Sequence, residues 1–380
     1  MNKKVYKTLE YNKILTMLSS YAACDETKKR CLSLEPITDL YEIRHLQTTT
    51  ADALSRLYKD SGVSFVGIHN VHASLKRLDI GGALNTTELL RICSLLEVAK
   101  RVKAYGRSAM DNEKQDSLSG LFAGIEPVSA LCDEIKRCIL SEEEIADDAS
   151  PELFKIRKSI RGMNDRIHAQ LTKLMNNSTT RTYLQDAVVT MRDGRYCLPV
   201  KAEAKGNVPG MMHDQSSTGS TLFIVNLNNE LKELFIKEQE EIEKILAALS
   251  DKVAMNAAAL EQDYEILSEL DFIFAKANLA KSYNGVAPEF NTEGHINIRK
   301  GRHPLLDAKK VVPIDVRLGE EYKQLIITGP RLNSEVAPSS CNNLCHSYGK
   351  TFNDRIVAVL VLAAKNVETV FCRLLIHSCV

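Results

Sequence analysis

Leu325-Ile326-Ile327-Thr328-Gly329-Pro330 reads as a buried strand running into a glycine turn, the place where a phosphate-binding loop begins. Such a loop needs a second glycine five residues on, then Lys and Ser/Thr, so that backbone N–H groups and an ammonium cradle phosphate oxygens. Counted from Gly329, those positions hold Ser334, Glu335 and Val336. A carboxylate stands where a cation is required. Gly349-Lys350-Thr351 does not replace it, because the partner glycine position there is Leu344. Nucleotide hydrolysis by this route is not expected.

Other chemistry-bearing clusters point to less. His213-Asp214-Gln215-Ser216-Ser217 holds the residue types of a nucleophile site. Such a site needs groups that converge from separate segments, whereas these are consecutive, so a polar loop is the better reading. Cys341-x3-Cys345-His346 lacks haem spacing and a second ligand pair at zinc spacing. Glu142-Glu143-Glu144 with Asp147-Asp148 reads as a solvated turn rather than a metal cluster. No metal ligand is therefore assigned.

The elements that must position these residues are mostly helical. The chain has 380 residues, no tryptophan, a formal net charge of zero and 26% charged residues with the signs interspersed. This argues against a highly basic nucleic-acid coat protein but not against a local basic patch. Ten cysteines without framework spacing suggest reduced thiols, buried or free, in the cytoplasm. The longest apolar run, Ile356 to Ala364, is far short of the ~20 residues of a membrane span. No membrane partner is expected.

Leu9, Ile14, Leu15 and Leu18, and then Leu89, Ile92, Leu95, Leu96 and Ala99, recur at helical spacing. Asn85 and Thr86 are candidate caps, and Gly81-Gly82 marks a turn. Ser150-Pro151 starts a helix whose Leu153, Ile156, Ile160, Met163, Ile167, Leu171 and Leu174 form a coiled-coil seam ending at Asn176-Asn177-Ser178. A second long helical stretch runs from about Asn228 to Tyr283, with Leu231, Leu234, Ile242, Ile245 and Leu249 on one face. Glu240 and Lys244 are expected to pair on its exposed side. The two stretches suggest antiparallel arms.

Between them the period changes to two. Val188–Met191, Arg195–Val200 and Thr221–Ile224 are strand-like, with Asp193-Gly194 as a hairpin turn. A small β module is thus expected at the tip of the arms, as in a clamp. From Gly294 short strands return at 295–298, 311–316 and 325–328, opening an α/β domain.

Several segments resemble the second bacterial MutS subfamily. Val189–Lys201 and His213–Ile224 look like its clamp strands, and Leu270-Asp271-Phe272-Ile273-Phe274-Ala275-Lys276-Ala277 like the end of its returning lever helix. Gly301-Arg302-His303-Pro304-Leu305-Leu306 and Ile326–Pro330 are similar to the opening of its ATPase domain. The likeness covers roughly residues 1–330. It implies a mainly α fold: a helical core, long antiparallel lever helices, a small β clamp at their tip and the first strands of a truncated α/β ATPase domain. The expected boundaries are 1–150 for the core, 151–180 and 227–290 for the levers, 181–226 for the clamp, 291–330 for the ATPase start and 331–380 for a divergent tail.

The resemblance also implies function. The family is linked to branched or recombination-intermediate DNA and to restraining recombination, and some members to collided ribosomes. It dimerises through ATPase domains that use ATP and magnesium, and it ends in a nuclease domain. Here neither cofactor is expected, since the loop after Pro330 has no counterpart. The DNA-binding candidates are Arg192, Arg195, Lys201, Lys205 and His213. His303, Gly329 and Pro330 would be what remains of the nucleotide site.

Charge alone supports this weakly. From Arg181 to Ile224 the bases Arg181, Arg192, Arg195, Lys201 and Lys205 face Asp186, Asp193, Glu203 and Asp214, a net of +1. Strand alternation is expected to part Arg195 from Lys201. A further departure is a short deletion after Phe223-Ile224 relative to the family pattern, which would turn the returning helix by about 100° per lost residue. The first reading is an unswitched MutS-like DNA-binding protein and the second a non-catalytic coiled-coil or ribosome-associated fragment. A tail altered by a frameshift, or a product without function, is a further expectation.

Overall fold

The computed structural model describes residue 6 and residues 10–319, apart from 60–61, 111–114, 193–194, 205–206, 209–210, 216–219, 224, 292 and 307–310. Lys205, Gly329, Pro330 and all of 320–380 therefore lie outside the described residues, as does the third strand expected at 325–328. The fold is mainly helical with two small antiparallel sheets. No helix among the described residues is long and apolar enough to cross a membrane.

The chain divides into two compact units, Met1–His72, Ser94–Ser129 and Ala258–Val380 in one, Ala73–Cys93 and Ala130–Ala257 in the other. In the first are α1 (Tyr11–Tyr21), α2 (Asp25–Leu32) and α3 (Leu40–Lys59); α4 (His72–Asp79) belongs to the second from Ala73 on, and the later residues of α5 (Thr86–Met110) return to the first with α6 (Ser119–Gly124). Ile14, Leu18, Ala22 and Cys31 pack on Phe272, Ala275 and Leu279 of α11 (Ala257–Ser282). Phe65, Tyr105 and Phe122 cluster around Phe274 of the same helix. From Leu270 to Ala280 α11 is buried nearly all round, whereas its first half exposes Glu261, Gln262 and Glu265 on one side.

Several charged groups are built into this packing. The Asp271 carboxylate accepts the Ala23 and Cys24 N–H groups at 3.0–3.1 Å, at the start of α2, although burial raises its pKa. Arg56 donates to both Asp116 oxygens at 2.6 and 2.9 Å. Lys276 lies over the Phe272 ring at 4.8 Å, and Arg30 stacks on that ring at 4.1 Å. Burial pulls the Lys276 ammonium down to about 8.

β5 (Ile296–Gly301) and β6 (Ile314–Leu318) pair antiparallel, with a register shift between Ile298 and Gly301. They form an antiparallel ribbon; the strand expected to follow at 325–328 lies outside the described residues.

In the second unit, the start of α5 carries a capping box. Glu88 N–H donates to Asn85 Oδ1 at 2.9 Å, and Asn85 N–H donates to Glu88 Oε2 at 3.0 Å. α7 (Ser129–Cys138) precedes α8 (Pro151–Asn176), whose cap is Ser150, accepting Leu153 N–H at 3.0 Å. Leu153, Ile156, Ile160, Met163, Ile167 and Leu171 are buried along α8, and Leu174 is half-buried beside them, so the pattern is its core face. Each contributes about 1.5–3 kcal/mol of apolar burial.

That seam meets α10 (Val225–Met255), with Leu231 buried in the same cluster and Leu234 packed against it. Ser150 Oγ donates to Glu241 at 2.8 Å, and Arg157 Nε to Glu238 at 2.7 Å. Partners thus descend α10 as α8 ascends, so the pair is antiparallel. The expected Glu240–Lys244 pair does not form; Lys244 instead approaches Glu241 at 3.6 Å. Nor is the second arm one helix: it breaks at Asn256, whose amide donates to Lys252 O.

Candidate nucleic-acid interface

After α8, α9 (Ser178–Tyr183) leads into a four-stranded antiparallel sheet of order β1-β2-β4-β3. β1 is Thr190–Arg192, β2 Arg195–Val200, β3 Met211–Gln215 and β4 Ser220–Phe223. Three of these strands follow the expectation closely. β3 takes in His213, Asp214 and Gln215 of the segment expected as a polar loop, and agrees there with the clamp-strand resemblance of His213–Ile224. His213 sits at its register shift, between the pairs Met212↔Leu222 and Asp214↔Thr221, which is the two-against-one count of a bulge.

Along β2, Tyr196, Leu198 and Val200 pack into the helix-pair core with Leu184 and Leu231. The odd positions 195, 197 and 199 occupy the other face, since strand residues alternate. The register sets Arg192 directly opposite Arg195 at the end of the β1–β2 hairpin. Arg192 and Arg195 are described by backbone and register alone, as is His213.

Lys201 corrects the expectation. Its position lies six residues from Arg195, an even count, so alternation does not part the two; Lys201 instead falls just beyond β2. Its ammonium donates to Thr182 O at 3.0 Å, at the C-terminal end of α9. There a cation meets unpaired helix carbonyls and the negative end of the helix dipole. Lys201 is exposed, yet it holds α9 to the sheet. Around it the chain pairs with β2 as well: Gln185 N–H donates to Pro199 O and Lys201 N–H to Tyr183 O.

One residue that sequence reasoning missed joins sheet to arm. β2 pairs with β4 as far as Cys197↔Phe223. Beyond that, the amide of Asn228 on α10 takes over: Tyr196 N–H donates to Asn228 Oδ1 at 2.9 Å, and Asn228 Nδ2 donates to Tyr196 O at 3.4 Å. The side chain mimics the next residue of a ladder. Asn228 is 2% exposed, so water does not substitute for it. No periodicity marks such a residue; an Asn within the first turns of an amphipathic helix reads as a surface position.

A groove of about 550 Å³ runs along the α8–α10 pair at Gly162, lined among others by Lys158, Arg166, Lys237, Glu230 and Glu233. Its signs are mixed. Asp147, expected in an acidic solvated turn, is held below the usual carboxylate range by hydrogen bonds from Arg157 and Arg161.

His303, a nucleotide-site candidate, lies in a turn of the other unit. Its Nδ1 accepts Leu305 N–H at 3.2 Å, its carbonyl accepts Leu306 N–H at 3.1 Å, and Leu305 packs against the α1–α11 core. It stabilises its own turn. Among the described residues, no three His, Cys, Asp or Glu side chains stand together as a metal site.

No family model matches the chain. It is similar to Endonuclease MutS2 of Agathobacter rectalis, 98% identical over 335 residues, covering 87% of this chain and 42% of that protein. The like-named protein of Lachnoclostridium phytofermentans is 50% identical over 340 residues, 87% of this chain and 43% of its own length. That of Lachnospira eligens is 49% identical over 371 residues, 96% and 45% of the two chains. The chain spans less than half the length of each of these relatives.

Proposed function

Because the chain belongs to the MutS2 family, we propose that its four-stranded sheet is a DNA clamp carried by the α8–α10 arms. The observation that supports this most is the Arg192↔Arg195 pair. Like charges directly opposite one another destabilise a hairpin. A pair kept there suits a polyanion, whose phosphates neutralise both guanidinium groups and release condensed counterions. We place branched or recombination-intermediate DNA first among substrates. His213, at the bulge of β3, would meet the backbone from the opposite edge strand; Lys205, outside the described residues, remains a candidate from the sequence alone.

The reading carries no ATP-driven step. Ser334, Glu335 and Val336 occupy the positions where a phosphate loop needs Gly, Lys and Ser/Thr, so binding would be unswitched. Dimerisation through the 291–330 segment belongs to the same proposal. The nuclease named in the relatives is assigned to none of the described residues.

The test is binding of the whole chain to four-way-junction and plain duplex DNA across a salt series. Loss of two phosphate contacts in Arg192→Ala/Arg195→Ala would flatten the log–log salt slope by about 2. An unchanged slope refutes the assignment. Lys201 is left intact, since its ammonium is already engaged at Thr182 O. A second reading, a protein or ribosome partner held by the arms, rests on Phe235 and Ile236, which are 46% and 52% exposed on α10. Salt-tolerant association with ribosomes and none with DNA would favour it.

A further inference from the structure

Two thiols of the second unit face each other inside the fold. Cys93 on α5 and Cys132 on α7 bring their sulfurs to 3.0 Å, and each thiol also lies near the other residue's carbonyl, at 3.6 and 3.7 Å. Both are buried, at 3% and 7% exposure, and they stand 39 residues apart in sequence. Neither is needed by the clamp. Ordinary core packing would keep two sulfurs farther apart, and a disulfide bond requires them to close to about 2.05 Å, a further approach of only about 1 Å.

We propose that Cys93 and Cys132 are a site of reversible oxidation, forming a disulfide that clips α5 to α7. The oxidant is a peroxide, small enough to reach a buried thiol. One cysteine, as thiolate, attacks a peroxide oxygen; the O–O bond breaks, giving a sulfenic acid and one water once the leaving oxygen is protonated. The second thiolate then attacks that sulfur, forming the S–S bond and expelling the hydroxyl, which leaves as a second water. Two thiols and hydrogen peroxide thus become one disulfide and two waters. The two thiol protons end on oxygen, and peroxide takes the two electrons. A thiol reductant reverses the bond. Among the described residues Cys138, also buried on α7, has no sulfur partner of this kind, and burial raises its pKa.

The full chain is exposed to hydrogen peroxide, denatured, alkylated with a maleimide and mapped by mass spectrometry without reduction. The expected result is loss of Cys93 and Cys132 together from the alkylated set, recovery of one linked peptide pair, and return of both after dithiothreitol. Cys93→Ser should leave Cys132 as a sulfenic acid that dimedone traps. Full alkylation of both residues after peroxide, or linkage of Cys132 to any other cysteine in the wild-type chain, overturns the proposal. Because the wild-type map decides the pairing, a poorly folded variant does not obscure the outcome.

Discussion

Replacing Asn228 with Ala removes both hydrogen bonds between α10 and the Tyr196 backbone. The bond at 2.9 Å is a full one and the bond at 3.4 Å a weak one, worth together about 1.5–2 kcal/mol net. Tyr196 N–H and C=O then lie beneath a helix without a partner, which adds about 1 kcal/mol. Alanine recovers about 0.5 kcal/mol of helix propensity. The expected loss is about 2–2.5 kcal/mol, read as a lower urea midpoint with an unchanged slope. Amide exchange should accelerate at residues 195–197 and 220–223 before it does in α8. The matched control is Asn229→Ala, an exposed neighbour, which should stay within about 0.5 kcal/mol. Equal midpoints for the two variants would refute the view that this amide fastens sheet to arm.

Ser150→Ala removes the cap of α8 and the bond to Glu241, and should cost about 1–2 kcal/mol by the same urea assay. Lys276→Met should stabilise. The folded chain holds this ammonium at a pKa of about 8, below its ordinary 10.5, so burying the charge opposes folding at neutral pH. Between about pH 8 and 10.5 the unfolded chain keeps a proton that the folded chain sheds, so this group's contribution to stability rises with pH. The variant should gain about 1–3 kcal/mol at pH 7, with the gain shrinking toward pH 10.5. A gain that does not depend on pH, or a loss, sinks the argument.

The sequence shows the arms better than it shows their attachments. Ile156, Ile160, Met163, Ile167 and Leu171 repeat over four turns, and only a helix buried along one stripe has that period. Ser150-Pro151 marks where that helix begins because side chain and ring both suit a first turn. β3 is hidden for the opposite reason: Met211–Gln215 has no β-branched residue, and an edge strand paired on one side needs little burial to form. The basic residues sort only once the register is known. Arg192 and Arg195 come together across a turn, whereas Lys201 is used by a helix end that spacing does not reveal. Asn228 and Tyr196 are 32 residues apart and meet through one side chain, so neither carries a local signal.

That tie also bears on the short deletion that the family resemblance leads one to expect beside Ile224. β4 ends at Phe223 and α10 begins at Val225, so one residue separates strand from helix. Asn228 must reach Tyr196 while Leu231, three residues on, enters the α8 seam. A single alanine inserted between Asn229 and Glu230 would turn Asn228 about 100° away from the face that carries Leu231. Either the Tyr196 bonds or the Leu231 packing is then lost, and the cost should be at least the 2–2.5 kcal/mol expected for Asn228→Ala. The same alanine placed between Ile224 and Val225 lengthens the joint and leaves both ties in phase, so it should cost less than 1 kcal/mol. Urea midpoints decide between them. If the upstream insertion is the more damaging of the two, the joint at 224 sets the orientation of the sheet and Asn228 merely follows it.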